Sequence, residues 1–290
     1  MGVGFGLGEE LTGSRGSKTK IWWYVDDAQS NARDWLTFVD MNTTEPNEPY
    51  LKVCQAKARS LWEGEFEVVP VIGRRAAFRL LGSKETPEGA DRCPPSLFLA
   101  WCRSAFLSQL GGLWVDGSVL PLADGAVLKR RLELRDALTF GVDPDEALSS
   151  AEAKLPMASP NAGWAAVPNH PVWRGLEKDT AALIAAGPQS WGIDARRALR
   201  FLWDKHASGT VAVDRKAEVS RDMYGRRLEL DTLLGKNEWT TGSKDGGLWV
   251  PLPDGRDGLT RSSVWKWFEV VSAEELRDSD FVWATWAFRR

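Results

Sequence analysis

Apolar residues along this chain change period several times, and each change marks an element. Leu99, Cys102, Phe106 and Leu110 recur at spacings of three and four, which makes one apolar face of a helix. Ser96 is placed to cap the start of that helix, and Gly111-Gly112 to end it, because glycine tolerates positive φ. Leu113-Trp114-Val115 then predicts a short buried strand, with Asp116 at its far end. Gly117 and Ser118 add little bulk around that acid. A carboxylate at a strand end of an α/β sheet faces the crevice where ligands usually bind. Arg103 interrupts the apolar helix face, so it needs an anionic partner or must snorkel to water.

Elsewhere the pattern predicts alternating strands and helices. Lys20 to Val25, KIWWYV, is a strand candidate, with Asp26-Asp27 where it ends. Ala32, Trp35, Leu36 and Val39 give one side of a helix over 30–40. Asn47 as cap and Pro49 in the first turn open another, with Leu51, Cys54, Ala58 and Leu61 as its core face. Phe66 to Ile72 is a second strand, and its Pro70 points to a sheet edge or a strand end. Strand, helix, strand is the start of a Rossmann-like α/β sheet. Arg74 and Arg75 follow, then a polar loop from Gly82 to Cys93. Asp124-Gly125 reads as a turn, and 127–138 has no clean period. Asp143 to Glu146 reads as a helix start. Further on, AGWAAVP from Ala162 predicts a strand, and Asn169-His170-Pro171 starts a helix from Val172 to Ala185. Asp194 to Lys205 is helical, with His206 at its end, where a cation suits the helix dipole. Thr210 to Val213 reads as a strand and Leu228 to Leu234 as a short helix. Val264 to Val271 and Phe281 to Phe288 read as aromatic strands. Gly246 to Val250 echoes residues 111–115, but Pro251 stands where Asp116 would be.

Composition narrows the class. The 290 residues are 43% hydrophobic, enough for a substantial core, and a net charge of −3 gives no basic footprint for nucleic acid. Cys54, Cys93 and Cys102 form no even disulfide framework and no metal-ligand spacing, so a reducing, cytoplasmic compartment is expected. No apolar run reaches the roughly 20 residues a bilayer span needs. Sixteen tryptophans are many for this length. They either pack the core or offer stacking faces for sugar rings or a base.

The segment from Arg103 to Ser118 resembles the capsular polysaccharide synthesis proteins and the yeast-type initiating mannosyltransferases, sugar-nucleotide glycosyltransferases of GT-A fold. Their shared stretch carries an Arg on a helix, a Gly-Gly pair, an aromatic, and a metal-binding Asp in a DXD or Asp-small-Thr motif. Here these are Arg103, Gly111-Gly112, Trp114 and Asp116-Gly117-Ser118. Two positions depart: Ala100 stands where the family often has Asp, and Ser118 replaces the second acid of a strict DXD. A looser match covers Asn161, Trp164, Asn169 and His170. The resemblance covers roughly the first two thirds of the chain.

What the resemblance implies is a GT-A (Rossmann-like) α/β fold, a mixed sheet flanked by helices, with a Trp-rich C-terminal extension. Residues 1–19 form an N-terminal lead, 20–206 the transferase domain, and 207–290 an extension packed on it. The implied activity moves a sugar from a UDP- or GDP-linked donor to a glycan or other hydroxyl acceptor, with retention of configuration. Mn²⁺ or Mg²⁺ would be held by Asp116, with Arg103 beside it as a second catalytic group. Donor contacts would come from Tyr24, Val25, Asp26, Gly111, Gly112, Trp114, Gly117, Ser118, Asn161, Trp164 and His170. Two other functions fit the same residues. One is a non-catalytic carbohydrate-binding or assembly protein on a degenerate transferase fold. The other is a glycoside hydrolase, which needs a second carboxylate about 5–10 Å from Asp116.

Overall fold

The structure is a computed structural model that describes residues 18–26, 48–82, 86–133, 136–140, 163–190, 194–207, 211–214, 228–236, 247–252, 259 and 262–288. The expected N-terminal lead, Asp27, the helix over 30–40, Asn47, the helix start at 143–146 and Asn161 lie outside these residues, except that positions 18 and 19 of the lead are described.

A six-stranded mixed sheet forms the centre, in the order β2-β1-β3-β6-β5-β7. β1 (Thr19–Val25) pairs in parallel with β2 (Phe66–Ile72) on one side and with β3 (Gly112–Asp116) on the other. β6 (Trp164–Ala166) runs antiparallel to both β3 and β5 (Ala137–Phe140). β7 (Ala212–Asp214) pairs in parallel with β5, so residues beyond 207 complete the main sheet. A second, two-stranded sheet joins β4 (Leu120–Pro121) to β8 (Trp249–Val250). Within the echo of 111–115, Trp249 and Val250 thus supply a strand. β2 is an edge strand, one of the two placements Pro70 allowed, because proline has no N–H to give a second neighbour.

Side-chain alternation along β1 and β3 builds two apolar layers. Ile21, Trp23 and Val25 share one layer with Leu113 and Val115. Trp22, Tyr24 and Trp114 share the other. The first layer is covered by α1 (Pro49–Trp62) and by the C-terminal segment. The second is covered by α3 (Pro95–Ala105), by α5 (Pro171–Ala185) and by part of α2 (Gly73–Leu81). Among these residues Trp22, Trp23, Trp62, Trp101, Trp114, Trp164, Trp173, Trp249 and Trp283 are fully buried. They are packing residues, which removes most of the expected stacking surface.

Several expectations change. Ser96 caps nothing: Pro94 is the N-cap residue of α3, and Pro95 starts the helix because its fixed φ already suits the first turn. α3 does not stop at a simple cap but runs on as a π-helical turn, Phe106–Leu110, closed by the Gly111 N–H donating to the Phe106 carbonyl. The stretch without a clean period contains α4 (Gly125–Leu132), whose N-terminus is capped by the Asp124 side chain accepting from Val127 N–H. α6 (Asp194–Ala207) and the short α7 (Leu230–Leu233) fall where expected.

The two C-terminal strands are not strands. Lys266–Glu269 is a 3₁₀ turn, and Val282–Phe288 is a helix, α9. Val282, Trp283, Ala284 and Ala287 are buried there, a one-sided helical set rather than an alternating one. Before it, α8 (Ala273–Asp278) begins with a capping box in which Ser272 and Glu275 satisfy each other's backbone N–H. No helix among the described residues is long and apolar enough to cross a membrane.

β3 enters the sheet through a tight contact. Gly112 has φ +95°, and a Cβ there would lie 2.4 Å from the Lys20 carbonyl oxygen. Gly112→Ala should therefore lower stability by on the order of 3 kcal/mol, read as an earlier urea midpoint. Gly64→Ala meets nothing within 4 Å. It should stay within about 0.5 kcal/mol of the parent. Equal midpoints for the two variants would contradict this account of the β1–β3 junction.

Candidate functional site

Asp116 ends β3 at its carboxyl end, beside Tyr24 of β1. Two hydrogen bonds fix its carboxylate. Ser118 donates its backbone N–H to Oδ1 at 2.8 Å and its hydroxyl to the same oxygen at 2.5 Å. This is a local turn held by an acid accepting from two residues on, which the sequence Asp-Gly-Ser favours. Gly117 is needed between them for space. Its N–H donates to the Tyr24 carbonyl at 2.6 Å, and a Cβ would lie 2.4 Å from Val25 Cγ2. Oδ2 of Asp116 accepts no hydrogen bond from any described residue. It is the oxygen left for a ligand.

Arg103 lies on α3 in the same layer and is 1% exposed. Its guanidinium carbon sits 4.2 Å from the centre of the Trp164 ring. The indole face attracts the cation where water is excluded. Burial pulls the Arg103 pKa down to about 10, while the negative charge of Asp116 holds it up. Arg103 is therefore a cation at neutral pH, acting on Asp116 through space. Burial pushes the Asp116 carboxyl up to about 6. The hydrogen bonds from Ser118 and the Arg103 charge oppose that rise, and the Asp26 carboxylate adds to it. Asp26, Asp116, Ser118 and Arg103 thus share one electrostatic neighbourhood. Cys54 of α1 feels it too: burial raises its thiol pKa, and the Asp116 charge raises it further. That thiol stays protonated and is no nucleophile.

The expected site residues divide into three groups. Asp116, Ser118, Gly117, Asp26, Tyr24, Trp114, Arg103 and Trp164 gather at or beneath the carboxyl end of β3. Tyr24 and Trp114 stack on each other, rings 4.9 Å apart, and both are buried. They form the floor under the acid. Val25 points into the opposite layer, against the position of Gly117. Gly111, Gly112 and His170 lie at the other, amino end of β3. There the Gly111 carbonyl accepts from Trp22 Nε1 at 2.7 Å, and a Cβ on Gly111 would meet the Pro168 ring at 2.6 Å. His170 is the N-cap residue of α5 but donates no side-chain cap, and burial lowers its pKa. Arg74, another candidate for a diphosphate, instead donates to the carbonyls of Ala90 and Cys93 at 2.8 and 2.7 Å and lies over Phe98.

The break that Arg103 makes in an apolar helix face did signal a buried partner. Nothing in the sequence identified that partner as the face of Trp164, on a strand that is remote in the chain but adjacent in the sheet. Among the described residues no group of three or more His, Cys, Asp or Glu side chains is placed to hold a metal ion by itself. One free carboxylate oxygen with a second acid nearby does fit a Mg²⁺-like ion. Such an ion keeps several waters and takes its remaining ligands from substrate phosphates. No protein-family model, curated protein or solved structure matches this chain.

The raised pKa of Asp116 has a testable consequence for the metal-free protein. Its ordinary value is 3.8 and its folded value about 6. Between these values the native state binds the extra proton, so this group's contribution to stability is present below pH ~4 and lost as pH rises through ~6. From pH 4 to pH 7.5 the parent should lose on the order of 2–3 kcal/mol more stability than Asp116→Asn. Urea melts of both proteins across that range check it. Parallel pH profiles would show that the acid is not desolvated.

Proposed function

We propose that this chain is a metal-assisted glycosyltransferase that uses a nucleotide-diphosphate sugar. One observation carries the reading. A carboxylate at the carboxyl end of a central parallel strand is oriented through one oxygen by Ser118, has the other oxygen uncommitted, and lies in the field of a buried arginine. The resemblance of residues 103–118 to GT-A sugar transferases adds to it, as does the mixed sheet flanked by helices.

The reaction breaks the bond from the anomeric carbon to the diphosphate oxygen. An acceptor hydroxyl oxygen forms the new bond to that carbon, and its proton passes to the departing diphosphate oxygen. Negative charge grows on the departing diphosphate. A bound Mn²⁺ or Mg²⁺ supplies Lewis-acid stabilisation of that charge. Asp116 would hold such an ion through the carboxylate oxygen that Ser118 leaves free, and Asp26 adds negative potential that would favour a divalent cation. Ser118 holds Asp116 in register. Arg103, fixed on the Trp164 face, contributes a permanent positive charge behind the acid. Fixed charges of this kind act strongly because the Trp-lined layer excludes water. Net retention of configuration follows the resemblance. A cytoplasmic location goes with the reading, since Cys54, Cys93 and Cys102 are all free thiols.

A second reading, a carbohydrate-binding protein on a non-catalytic version of the fold, has one observation in its favour. Ala100, where the resembled family often carries an acid, is fully buried in an apolar layer and offers no polar group to a donor sugar.

Titration with UDP-, GDP- and dTDP-sugars, followed by tryptophan fluorescence with Mn²⁺ and with chelator, separates the two. The transferase reading expects metal-dependent saturation by one donor. Asp116→Ala should stay folded by circular dichroism and lose transfer by about 10²-fold or more. Full activity in that variant, or a response to free glycans alone, would overturn the reading.

A further inference from the structure

A groove of about 580 Å³ opens near the amino end of β3, at the opposite end of that strand from Asp116. The π-helical turn that ends α3 and the start of α5 form its two walls. Both walls depart from regular backbone. Phe106–Leu110 is the one π-helical turn among the described residues. Asn169, with φ 62°, is their one non-glycine residue in the left-handed region. π-Turns and left-handed non-glycine residues concentrate at functional sites, because each costs stability that the surroundings must offset. Here they are tied together: Asn169 donates its N–H to the Ser108 carbonyl at 2.6 Å.

The groups lining this groove are donors. Arg174 and Lys178, one turn apart on α5, are exposed and form no ion pair with a described residue. The Asn169 side-chain amide is likewise uncommitted. The α5 N-terminus has no side-chain cap and no acid in its first turn, and the one acid that acts on its N-cap residue His170 is Asp136, outside the groove lining. Trp101 lines the inner wall, is fully buried, and its Nε1–H donates to no described residue. The one acid on the wall, Glu177, is already engaged: the Ser108 hydroxyl and the Gln109 amide, both from the π-turn, donate to it. That leaves a buried indole donor, two cations and a helix N-terminus around one groove, with the only carboxylate taken up by the wall itself.

We propose that this groove is an oxyanion site, shaped for the phosphate group of a ligand and separate from the Asp116 centre. Two cations and a helix N-terminus match a doubly charged tetrahedral anion better than a single carboxylate, and Arg174 offers two parallel N–H donors to it. The π-turn sets the wall by aiming Ser108 and Gln109 at Glu177, which keeps that acid from pairing with the cations.

Isothermal titration of the full chain with inorganic phosphate, a nucleoside monophosphate and a sugar 6-phosphate tests this. Tighter binding of one ester than of inorganic phosphate identifies which source of phosphate the groove takes. Arg174→Ala and Lys178→Ala alter exposed side chains, so both variants should fold like the parent. Each should weaken phosphate binding about tenfold. Asp116→Asn and added chelator should leave it unchanged, which separates this site from the transferase reading. Absence of phosphate binding at millimolar concentration would overturn the proposal. Binding that survives the double variant, or that disappears with Asp116→Asn, would overturn it as well.

Discussion

A buried guanidinium sets the terms for one whole face of this protein. Arg103 is carried into an apolar layer by α3, and a cation there is tolerated only if the layer supplies something to hold it. The face of Trp164 and the nearby charge of Asp116 do so. The tryptophans are thus more than filler. Trp114 and Tyr24 stack beneath the acid, Trp164 packs on Trp173, and together they keep water from screening the two charges. The same exclusion raises the Asp116 pKa toward the physiological range, so the chemistry of the acid and the packing of the core are one problem.

β3 is the hinge of the design because its two ends do different things. At the amino end Gly111 and Gly112 let the strand pass close under Pro168 and Lys20, and the π-turn delivers Ser108 and Gln109 to Glu177. At the carboxyl end Gly117 lets the chain turn tightly against Tyr24 and Val25, which points Asp116 outward. The ends also differ in charge. Asp26 and Asp116 make the carboxyl end negative, which suits a divalent cation. Arg174 and Lys178 make the amino end positive, which suits an anion. A five-residue strand thereby separates two regions of opposite charge along its length.

Elements whose signal is local were readable from the chain. β1, β2, β3, α1, α5 and α6 lie within a few residues of where apolar period, proline and glycine place them. Pro70 allowed an edge position or a strand end for β2, and the strand order decided for the edge. The turn at Asp116-Gly117-Ser118 is just as local, with both hydrogen bonds to Oδ1 inside three residues, but the sequence pointed to Ser118 as a donor contact rather than as the group that fixes the acid. The C-terminal segment misled because its density of Trp, Phe and Val fits a strand as well as a buried helix. There the capping box at Ser272 and the one-sided burial of Val282, Trp283 and Ala287 decided for helices. Gly111 and Gly112 misled differently: their positive φ was expected, but what they approach is the protein's own backbone and Pro168.

The sequence by itself determined where chain direction changes, which residues are apolar, and that one acid stands at a strand end with small neighbours. These depend on backbone sterics and on side-chain period, which act over a few residues. Only the tertiary structure decided that Arg103 rests on Trp164, that Asp26 and Asp116 share a field, and that Glu177 is held by the π-turn while Arg174 and Lys178 form no ion pair with a described residue. Those outcomes depend on strand order and on the layer into which each side chain is turned. Burial then fixes the charges' strength, because a group's electrostatic environment is set by everything packed around it and not by its neighbours in the chain.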